Sequence, residues 1–418
     1  MGRVADSFCC DKCNASWRKA VKSWLTIIGI GQDGFLGLGS DAKDAINEAK
    51  HLFGGKRHFE LVGKKGNVWE SPIEQSFKEI DKLKGERVVI LASGDPMWFG
   101  IGSSLCKRYG TEDVTVIPTP SSFSLVASKM LWPLSDTECL TVHGLENERI
   151  ISFLLPGNKL IILTTDEKTP QRFAEIINEL GFGESIITVF SDMGSANESR
   201  VESSASKWNN LKISNLNTVA IECLPDKGTV IKSRTPGLPD AVFQHDGQLT
   251  KREVRAITLS ALCPLPNQTL WDIGAGCGSI CIEWLRSQSN MRAYAVERNI
   301  DRLSIINSNA LALGVPELNV VFGDALKEII GLPSPDAVFI GGGITSGGVI
   351  EYCWQNLKPG GRLVANAVTI EGEQRLIDMH DKLGGELVKI DISRAEPLGQ
   401  FRNWEPLKPV TQFKALKP

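Results

Sequence analysis

Three alternating glycines follow a short apolar stretch in the second half of the chain. The stretch covers residues 270–273, the glycines are Gly274, Gly276 and Gly278, and a helical pattern begins near Ile280. Glycine allows the backbone to turn tightly and to approach a ligand, and the N-terminus of the next helix offers unpaired N–H groups. This spacing therefore predicts a nucleotide-type binding loop between a strand and a helix.

Carboxylates end the next two predicted strands. Glu297 lies about twenty residues after the glycines, where nucleotide-binding folds place the acidic residue that binds the ribose hydroxyls. Asp324 ends a third predicted strand, where a carboxylate can accept a hydrogen bond from an adenine amino group. For each residue the alternative role is a helix cap. The spacing Gly-x-Gly-x-Gly, preceded by Asp272, differs from the Gly-x-Gly-x-x-Gly of dinucleotide binders and favours S-adenosylmethionine over NAD.

Polar residues and glycines also follow the two strands predicted after these. Gly341, with the two glycines that follow it, leaves room for a ligand at a strand end, although a plain flexible loop is the alternative. The sequence contains no Ser-His-Asp set, no paired catalytic carboxylates and no metal cluster, so no general acid or base is assigned. Asn366 and Glu371 are candidates for a catalytic role by position alone. His245 is a third candidate because it is among the histidines nearest the motifs, with a structural role as the alternative.

The first half carries two glycine-containing loops at predicted strand ends. Gly29, Gly31 and Gly34 have the spacing Gly-x-Gly-x-x-Gly, which fits either a dinucleotide loop or a simple strand–helix turn. Gly94 and Asp95 lie in Ser-Gly-Asp-Pro, where glycine and proline form a tight loop that presents the carboxylate to a cleft. A plain turn is the alternative, since this composition is common in turns.

Composition limits the classes of protein to consider. A chain of 418 residues with 42% apolar and 23% charged residues is ordinary for a globular protein, and its length predicts two domains. The net charge of −3 gives no electrostatic case for a nucleic-acid partner. No apolar run is long enough to span a bilayer. Scattered cysteines indicate a reducing compartment, so we expect a cytoplasmic protein, with an organelle left open.

The order of predicted elements defines the domains. Residues 1–23 form a leader that is not a secretory signal, and its Cys9, Cys10 and Cys13 lack a second ligand pair for zinc. Two strand–helix series follow, at 24–223 and 241–418, separated by a Pro/Gly-rich linker at 224–240. In the first series, apolar residues from 42 to 53 have helical spacing. In the second series, regular alternation of strands and helices predicts a parallel sheet with helices on both faces.

The second half resembles the small class I methyltransferase domain of cobalamin biosynthesis that acts on precorrin-6Y or its cobalt analogue. The resemblance covers residues 240–418 and adds Thr250 to the expected cofactor site. It rests on Asp-Gly-Gln-Leu-Thr-Lys at 246–251, Leu-Trp-Asp-Ile-Gly-Ala-Gly-Cys-Gly-Ser at 270–279, Pro-Asp-Ala-Val-Phe-Ile-Gly-Gly-Gly at 335–343, and the segment 357–371.

The first half resembles the tetrapyrrole (corrin and porphyrin) methylases, in their precorrin-6Y branch. The segments that carry this are 25–34, Gly-Gly-Lys-Arg-His at 54–58, Ala-Ser-Gly-Asp-Pro-Met at 92–97 and Pro-Thr-Pro-Ser-Ser-Phe at 118–123. Leu145 and Ser191 depart from the branch, which has Arg and Glu in those places. The resemblance implies a fold of two α/β lobes with a S-adenosylmethionine cleft lined by Gly29, Gly31, Gly94, Asp95, Ser121 and Ser122.

The fused order of the two domains is that of a bifunctional family. Resemblance to it implies two methyl transfers from S-adenosylmethionine, to C-5 and C-15 of precorrin-6Y, with loss of carbon dioxide from the C-12 acetate arm. It also suggests a homo-oligomer that acts on a small tetrapyrrole, with no nucleic acid or membrane as partner. One alternative is an RNA or protein methyltransferase whose first domain has become a scaffold. Another is a non-catalytic module that senses the cofactor or a tetrapyrrole.

Overall fold

The computed structural model describes residues 23–209 and 211–418, which form two compact units. The first unit comprises the described residues up to Gly144 together with Lys159–Gln171 and Ile186–Glu222. The second comprises Leu145–Asn158, Arg172–Ser185 and Cys223–Pro418. The predicted leader, with Cys9, Cys10 and Cys13, lies outside the described residues apart from its last position.

One sheet of the first unit is entirely parallel. Its five strands have the order β3-β2-β4-β1-β5, with β1 in the interior next to β4 and β5. The strands are β1 Leu25–Ile30, β2 His51–Gly54, β3 Asn67–Val68, β4 Val88–Ser93 and β5 Val114–Ile117. The helices are α1 Gly34–Gly37, α2 Ser40–Glu48, α3 Lys56–Val62, α4 Glu74–Lys82, α5 Ile101–Tyr109 and α6 Ser122–Met130.

The second sheet of this unit is largely antiparallel. Its order is β6-β7-β10-β8-β9, and only β6 and β7 pair in parallel. The strands are β6 Glu138–Thr141, β7 Lys159–Leu163, β8 Ile186–Ser191, β9 Ser199–Ser204 and β10 Asn217–Glu222. Short 3₁₀ helices of this unit cover Leu134–Asp136 and Ala205–Lys207, whereas the 3₁₀ helix Asn147–Phe153 and most of helix α7, Thr169–Glu179, belong to the second unit. This antiparallel pairing distinguishes the second sheet of the unit from the parallel first one.

The helix predicted for residues 42–53 is wrong over its last part. Helix α2 ends at Glu48, and Leu52 and Phe53 belong to strand β2, where both side chains are buried. The N–H groups of Lys50 and His51 donate to the carbonyl of Arg87, which starts the pairing of β2 with β4. Short apolar runs fit a helix and a buried strand equally well, so spacing alone could not separate them.

The second unit is built on one seven-stranded sheet. Its order is β13-β12-β11-β14-β15-β19-β16, in which β11 to β15 are parallel and β19 is antiparallel to both its neighbours. The strands are β11 Thr269–Ile273, β12 Arg292–Glu297, β13 Asn319–Phe322, β14 Ala337–Ile340, β15 Arg362–Ala367, β16 Glu386–Ile390 and β19 Val410–Leu416. Strands β17 Ser393–Leu398 and β18 Phe401–Pro406 form a separate hairpin.

Helices of the second unit pack on both faces of this sheet. They are α8 Arg252–Leu262, α9 Ser279–Ser287, α10 Ile300–Ala312, α11 Ala325–Glu328, α12 Val349–Asn356 and α13 Ile370–Leu383, with a 3₁₀ helix at Asp240–Val242. One core contains Trp284, Ile306 and Phe339, and the other contains Trp271 and Phe413. Burial on both faces fixes the parallel strands, whose carboxyl ends then hold the loops in place. No described helix is long and apolar enough to cross a bilayer.

The segment predicted as a linker, 224–240, contains no strand or α-helix but is held in place by hydrogen bonds. The N–H groups of Gly237 and Leu238 donate to the Glu283 carboxylate, at 2.6 and 3.0 Å. The Thr229 hydroxyl lies 2.6 Å from the carbonyl oxygen of Gly181, to which it donates. Its role as a boundary between domains stays a prediction.

Candidate functional site

A large cavity opens at the carboxyl ends of the parallel strands of the second unit. Its volume is about 670 Å³, within the range of small-molecule sites. Loops after β11 to β14 line it, together with β15, the segment 247–251 and residues that follow the β17–β18 hairpin. The residues predicted from sequence that line this cavity are Thr250, Gly274, Gly276, Glu297, Asp324, Gly341 and Asn366.

Two glycine loops form the floor of this cavity. Gly274 has a φ of +70°, and a Cβ at this position would lie 2.7 Å from the Cα of Gly342 in the loop after β14. Any side chain at Gly274 would therefore force the two loops apart. Gly278 is not among the residues that line the cavity, because it lies at the start of α9 against Ile306. The floor is open backbone, which suits the close approach of an adenosyl group.

Glu297 ties the first glycine loop to the end of β12. Its side chain is nearly buried, and its Oε2 accepts the N–H of Gly276 at 2.9 Å while its Oε1 accepts the N–H of Asn299 at 2.9 Å. Each carboxylate oxygen keeps a second lone pair for a ligand hydroxyl. The arrangement combines the helix-cap alternative with the predicted ligand role.

Asp324 lies on the same wall, at the N-terminus of α11. Its side chain makes no capping hydrogen bond, so the structure gives no support to the cap as its side-chain role. The carboxylates of Glu297 and Asp324 are both in the cavity lining, at the ends of neighbouring strands. These two carboxylates can accept hydrogen bonds from the hydroxyl and amino groups of an adenosine, so the residues present fit S-adenosylmethionine.

Asp272 does not line the cavity but lies directly beneath its floor, on β11. Its side chain is buried, and its Oδ2 accepts a hydrogen bond from the Cys281 thiol at 3.3 Å. Burial raises the pKa of Asp272 to about 7. The structure therefore supports a role for Asp272 in the packing beneath the first glycine loop, with no direct contact to the cavity.

Among the three catalytic candidates, only Asn366 lines the cavity. His245 is exposed, and its Nδ1 accepts the N–H of Gly247 at 3.1 Å, so the ring is used within its own turn. Glu371 is exposed in the first turn of α13, where the start of the helix carries it away from the cavity. Sequence position placed all three near the same crevice, but local turns separate them.

Cations that sequence reasoning did not single out also line the cavity. Lys251 precedes α8, Arg298 follows β12, and Lys408 comes from the segment after the β17–β18 hairpin. Nothing in the sequence around Lys408 points to a site, because only the return of strand β19 to the sheet brings it there. Together these side chains add positive charge to a cavity that also contains two carboxylates.

The first unit has a smaller pocket, of about 270 Å³, at the ends of β4 and β5. The residues predicted from sequence that line it are Gly94, Asp95, Ser121 and Ser122. Gly29 and Gly31 are not in the lining. A Cβ at Gly29 would lie 2.1 Å from the carbonyl oxygen of Gly94, so Gly29 allows the Ser-Gly-Asp-Pro loop to pack against β1. Its role is to position the loop.

The polar side chains of this pocket mostly support local structure. Asp95 Oδ1 accepts the N–H of Met97 at 2.9 Å. Ser121 caps α6, and its Oγ accepts the N–H of Ser124 at 3.2 Å. The surfaces that remain for a ligand are backbone groups and aromatic rings. The rings in the lining belong to Trp69, Trp98, Phe99 and Phe123.

His58 lines the same pocket and was not predicted as a site residue. Its Nδ1 accepts the N–H of Gly55 at 3.1 Å, so the proton of the neutral ring is on Nε2, which donates to the Ser93 hydroxyl at 2.9 Å. Burial lowers the pKa of His58 to about 4. The imidazole is therefore neutral and acts as a hydrogen-bond donor. Its place in Gly-Gly-Lys-Arg-His was the available signal.

Comparison with known proteins gives matches along almost the whole chain. Residues 25–208 match the model of the tetrapyrrole (corrin/porphyrin) methylases, and residues 241–417 match that of a precorrin methyltransferase domain. A precorrin-6Y C(5,15)-methyltransferase [decarboxylating] of Sinorhizobium sp is 45% identical over 401 residues, covering 95% of this chain and 97% of that protein.

More distant relatives carry the same name. The protein of this name from Mycobacterium tuberculosis (strain CDC 1551 / Oshkosh) is 36% identical, covering 94% of this chain and 100% of its own length. The C-terminal domain of the Rhodobacter capsulatus precorrin-6Y C5,15-methyltransferase has a crystal structure that is 43% identical, covers 44% of this chain and 100% of that one, and has a TM-score of 0.42. The chain belongs to the family of decarboxylating precorrin-6Y C(5,15)-methyltransferases, with a tetrapyrrole methylase fold followed by a class I methyltransferase fold.

Proposed function

We propose that this chain methylates precorrin-6Y, or its cobalt analogue, at C-5 and C-15 and releases carbon dioxide from the C-12 acetate. The observation that carries the proposal is that each unit has its own glycine-containing pocket at strand ends. Two methyl transfers to two ring carbons suit two such pockets. We assign C-5 to the first unit, and C-15 with the decarboxylation to the second.

In the second unit the chain's own residues would bind and orient the methyl donor. Glu297 and Asp324 would hold the adenosine end, and the glycine floor around Gly274 would allow close approach. S-adenosylmethionine supplies an electrophilic methyl group when bound. The work of the protein is then to align the donor with a ring carbon and to exclude water from the site.

Carboxylate arms are the feature of the substrate that this cavity can recognise. Lys251 and Lys408 lie in its lining and offer positive charge to the acetate and propionate groups of the macrocycle. When the C-12 acetate loses carbon dioxide, the electron pair of the broken bond passes into the conjugated ring, and a proton taken up from water at the remaining arm carbon completes the methyl group at C-12. The macrocycle is its own electron sink, which accounts for a mechanism without a dedicated acid–base pair.

In the first unit, flat aromatic surfaces suit a flat macrocycle. The ring centroids of Trp98 and Phe123 lie 5.0 Å apart at the edge of the pocket, and Trp98 is partly exposed. Such rings can pack against the tetrapyrrole while the Ser-Gly-Asp-Pro loop holds the donor. Neutral His58 keeps the Ser93 hydroxyl in place beside Gly94. Leu145 and Ser191 replace an Arg and a Glu, so substrate carboxylates would be held differently here.

We further propose the domain limits 24–223 and 241–418 with a linker at 224–240, a cytoplasmic location and a homo-oligomer. The limits draw support from the matched ranges 25–208 and 241–417. The location draws support from described cysteines that form no disulfide, such as Cys277, Cys281 and Cys353. A net charge of −3 speaks against a nucleic-acid substrate.

The test is incubation of the chain with precorrin-6Y and S-adenosylmethionine that carries a deuterated methyl group, with the product analysed by mass spectrometry. The proposal predicts a gain of two labelled methyl groups and loss of one carbon dioxide. One methyl group with decarboxylation would mean that only the second unit acts. An unchanged tetrapyrrole, with donor bound in both pockets, would overturn the proposal in favour of an RNA or protein substrate.

A further inference from the structure

Three polar side chains from three different elements meet behind the cavity of the second unit. Thr258 is on α8, Asn366 is on β15 and Gln412 is on β19. Asn366 Nδ2 lies 2.8 Å from Thr258 Oγ1, Gln412 Nε2 lies 3.2 Å from Thr258 Oγ1, and Gln412 Nε2 lies 2.9 Å from Asn366 Oδ1. Thr258 and Gln412 are buried, and Asn366 is half-buried at the cavity wall.

The direction of every hydrogen bond in this triangle follows from one backbone contact. The Thr258 hydroxyl donates to the carbonyl of Val254, one turn earlier in α8, at 2.8 Å. A hydroxyl has one proton, so Thr258 Oγ1 can only accept from its other two neighbours. Both amide groups must therefore turn their NH₂ toward Thr258. The second N–H of Gln412 then donates to Asn366 Oδ1.

The Asn366 amide is consequently held in one orientation, and part of its hydrogen-bonding capacity is unused. One N–H is bound to Thr258 and one lone pair of Oδ1 is bound to Gln412, which leaves one N–H for the cavity. A surface asparagine can flip its amide at little cost, but here a flip would place N–H against N–H at Gln412. The triangle thus presents a fixed donor to any ligand.

Strand order places this donor on the side of the cavity away from the adenosine site. The carboxylates Glu297 and Asp324 follow β12 and β13, on one side of β11, whereas Asn366 is on β15, on the other side. Lys251 and Lys408 also line the cavity, and neither forms an ion pair within the part of the chain that the structure describes. Lys408 lies in the segment that leads into β19, next to β15, so it adds a cation on the same side of the cavity as the Asn366 N–H.

We propose that Asn366 binds a carboxylate arm of the tetrapyrrole through its free N–H, and that Thr258 and Gln412 are the positioning residues that fix this donor. This rests on the function proposed above, because the ligand is the tetrapyrrole of that reaction. The amide is too weak a base to remove a proton. Its contribution is to hold the carboxylate arm, and with it the macrocycle, in position relative to the bound methyl donor.

Two substitutions at one site separate this role from simple packing. Thr258→Val keeps the shape of the side chain and removes the hydroxyl, whereas Thr258→Ser keeps the hydroxyl and removes a methyl group. The proposal predicts that Thr258→Val raises the KM for precorrin-6Y about tenfold or more, while Thr258→Ser recovers most of the affinity. If packing were the role, Thr258→Ser would be the more damaged variant.

Further variants keep the test independent of any effect on folding. Gln412→Leu should also raise this KM, and Asn366→Asp should raise it most, because a carboxylate there would repel the substrate arm. In every variant calorimetry should give wild-type affinity for S-adenosylhomocysteine, which shows that the donor half is intact. An unchanged KM in Thr258→Val and Asn366→Asp, with wild-type enzyme active, would overturn the inference and leave the proposed function standing. No turnover by wild-type enzyme would overturn both.

Discussion

The two pockets are lined by different types of residue. The cavity of the second unit has about 670 Å³, two carboxylates at neighbouring strand ends and a floor of glycine backbone. The pocket of the first unit has about 270 Å³, aromatic rings and a neutral histidine. The second is shaped around a polar, adenosine-like ligand, whereas the first offers flat apolar surface and backbone groups.

This difference shows that one chemistry does not require one kind of site. In the site proposed for the second unit, side-chain carboxylates would hold the hydroxyl and amino groups of the methyl donor, so the sequence signal is acidic residues at spaced strand ends. A site that relies on loops and rings leaves a signal only in loop composition, which is less specific. Substitutions that disturb one pocket at a time should distinguish the contributions of the two.

The largest effect is expected when the glycine floor is filled. Gly274→Ala would place a Cβ 2.7 Å from the Cα of Gly342 at a φ of +70°, so the loops must separate. We expect calorimetry with S-adenosylhomocysteine to show two sites per wild-type chain and one site in Gly274→Ala, the affinity of the lost site falling about a hundredfold or more.

Gly29→Ala should have the corresponding effect in the first unit, because its Cβ would lie 2.1 Å from the carbonyl oxygen of Gly94. The matched control is Gly39→Ala, since a Cβ at Gly39 meets no atom within 4 Å. Two sites in both Gly274→Ala and Gly29→Ala, equal in affinity to wild type, would contradict the assignment of the pockets.

A smaller effect is expected from the carboxylates of the second unit. Glu297→Gln replaces one of two oxygens that accept backbone N–H groups, from Gly276 and Asn299, so the loop loses a tie as well as a ligand contact. We expect the affinity for S-adenosylhomocysteine to fall about tenfold or more. Asp324→Asn should cost less, because that side chain supports no capping bond. The reverse order of effects would show that Asp324 carries the site.

The two regions should respond to pH in opposite directions. The pKa of His58 falls from 6.5 in the unfolded chain to about 4, so the stability that this neutral ring contributes is present above pH 6.5 and is lost as pH falls toward 4. His58→Gln should flatten this loss in thermal denaturation of the first unit. An acid limb that is unchanged in the variant would assign it to other groups.

The pKa of Asp272 rises from 3.8 to about 7, because burial disfavours its charge. Its contribution to stability is present below pH 3.8 and is lost as pH rises through about 7. Asp272→Asn should therefore reduce the fall in stability of the second unit between about pH 4 and pH 8, by up to about 1.4 kcal/mol per pH unit. A steeper fall in the variant would mean that the carboxylate is ionised in the folded state.

Local signals predicted the second unit well. The loop at Gly274, the carboxylates at Glu297 and Asp324 and the parallel strands before them all depend on residues close in sequence, and the structure brings them to one cavity. Gly399 marks the turn of the hairpin before β19, but β19 itself went unpredicted because its pairing with β15 joins segments far apart in the chain. Gln412 and Lys408 were missed for the same reason, because they come close to the cavity only through the pairing of β19 with β15.

In the first unit the sequence was less informative, for a physical reason. The pairing of β7 with β10 joins segments far apart in the chain, and β9, although close in sequence to its partner β8, is mostly polar and lacks an apolar strand pattern. His58 becomes neutral through burial by other elements, and its bond to Ser93 joins α3 to β4. Neither the depressed pKa nor the partner is visible in the local sequence.

The central claim is that the chain holds two independent donor sites, and the product of one disabled chain tests it most directly. Gly274→Ala would be incubated with precorrin-6Y and S-adenosylmethionine carrying a deuterated methyl group, and the product mass measured. The account predicts one labelled methyl group with all carboxylates retained, because only the first unit acts. Two labelled methyl groups with carbon dioxide lost, or no methyl group at all, would contradict it.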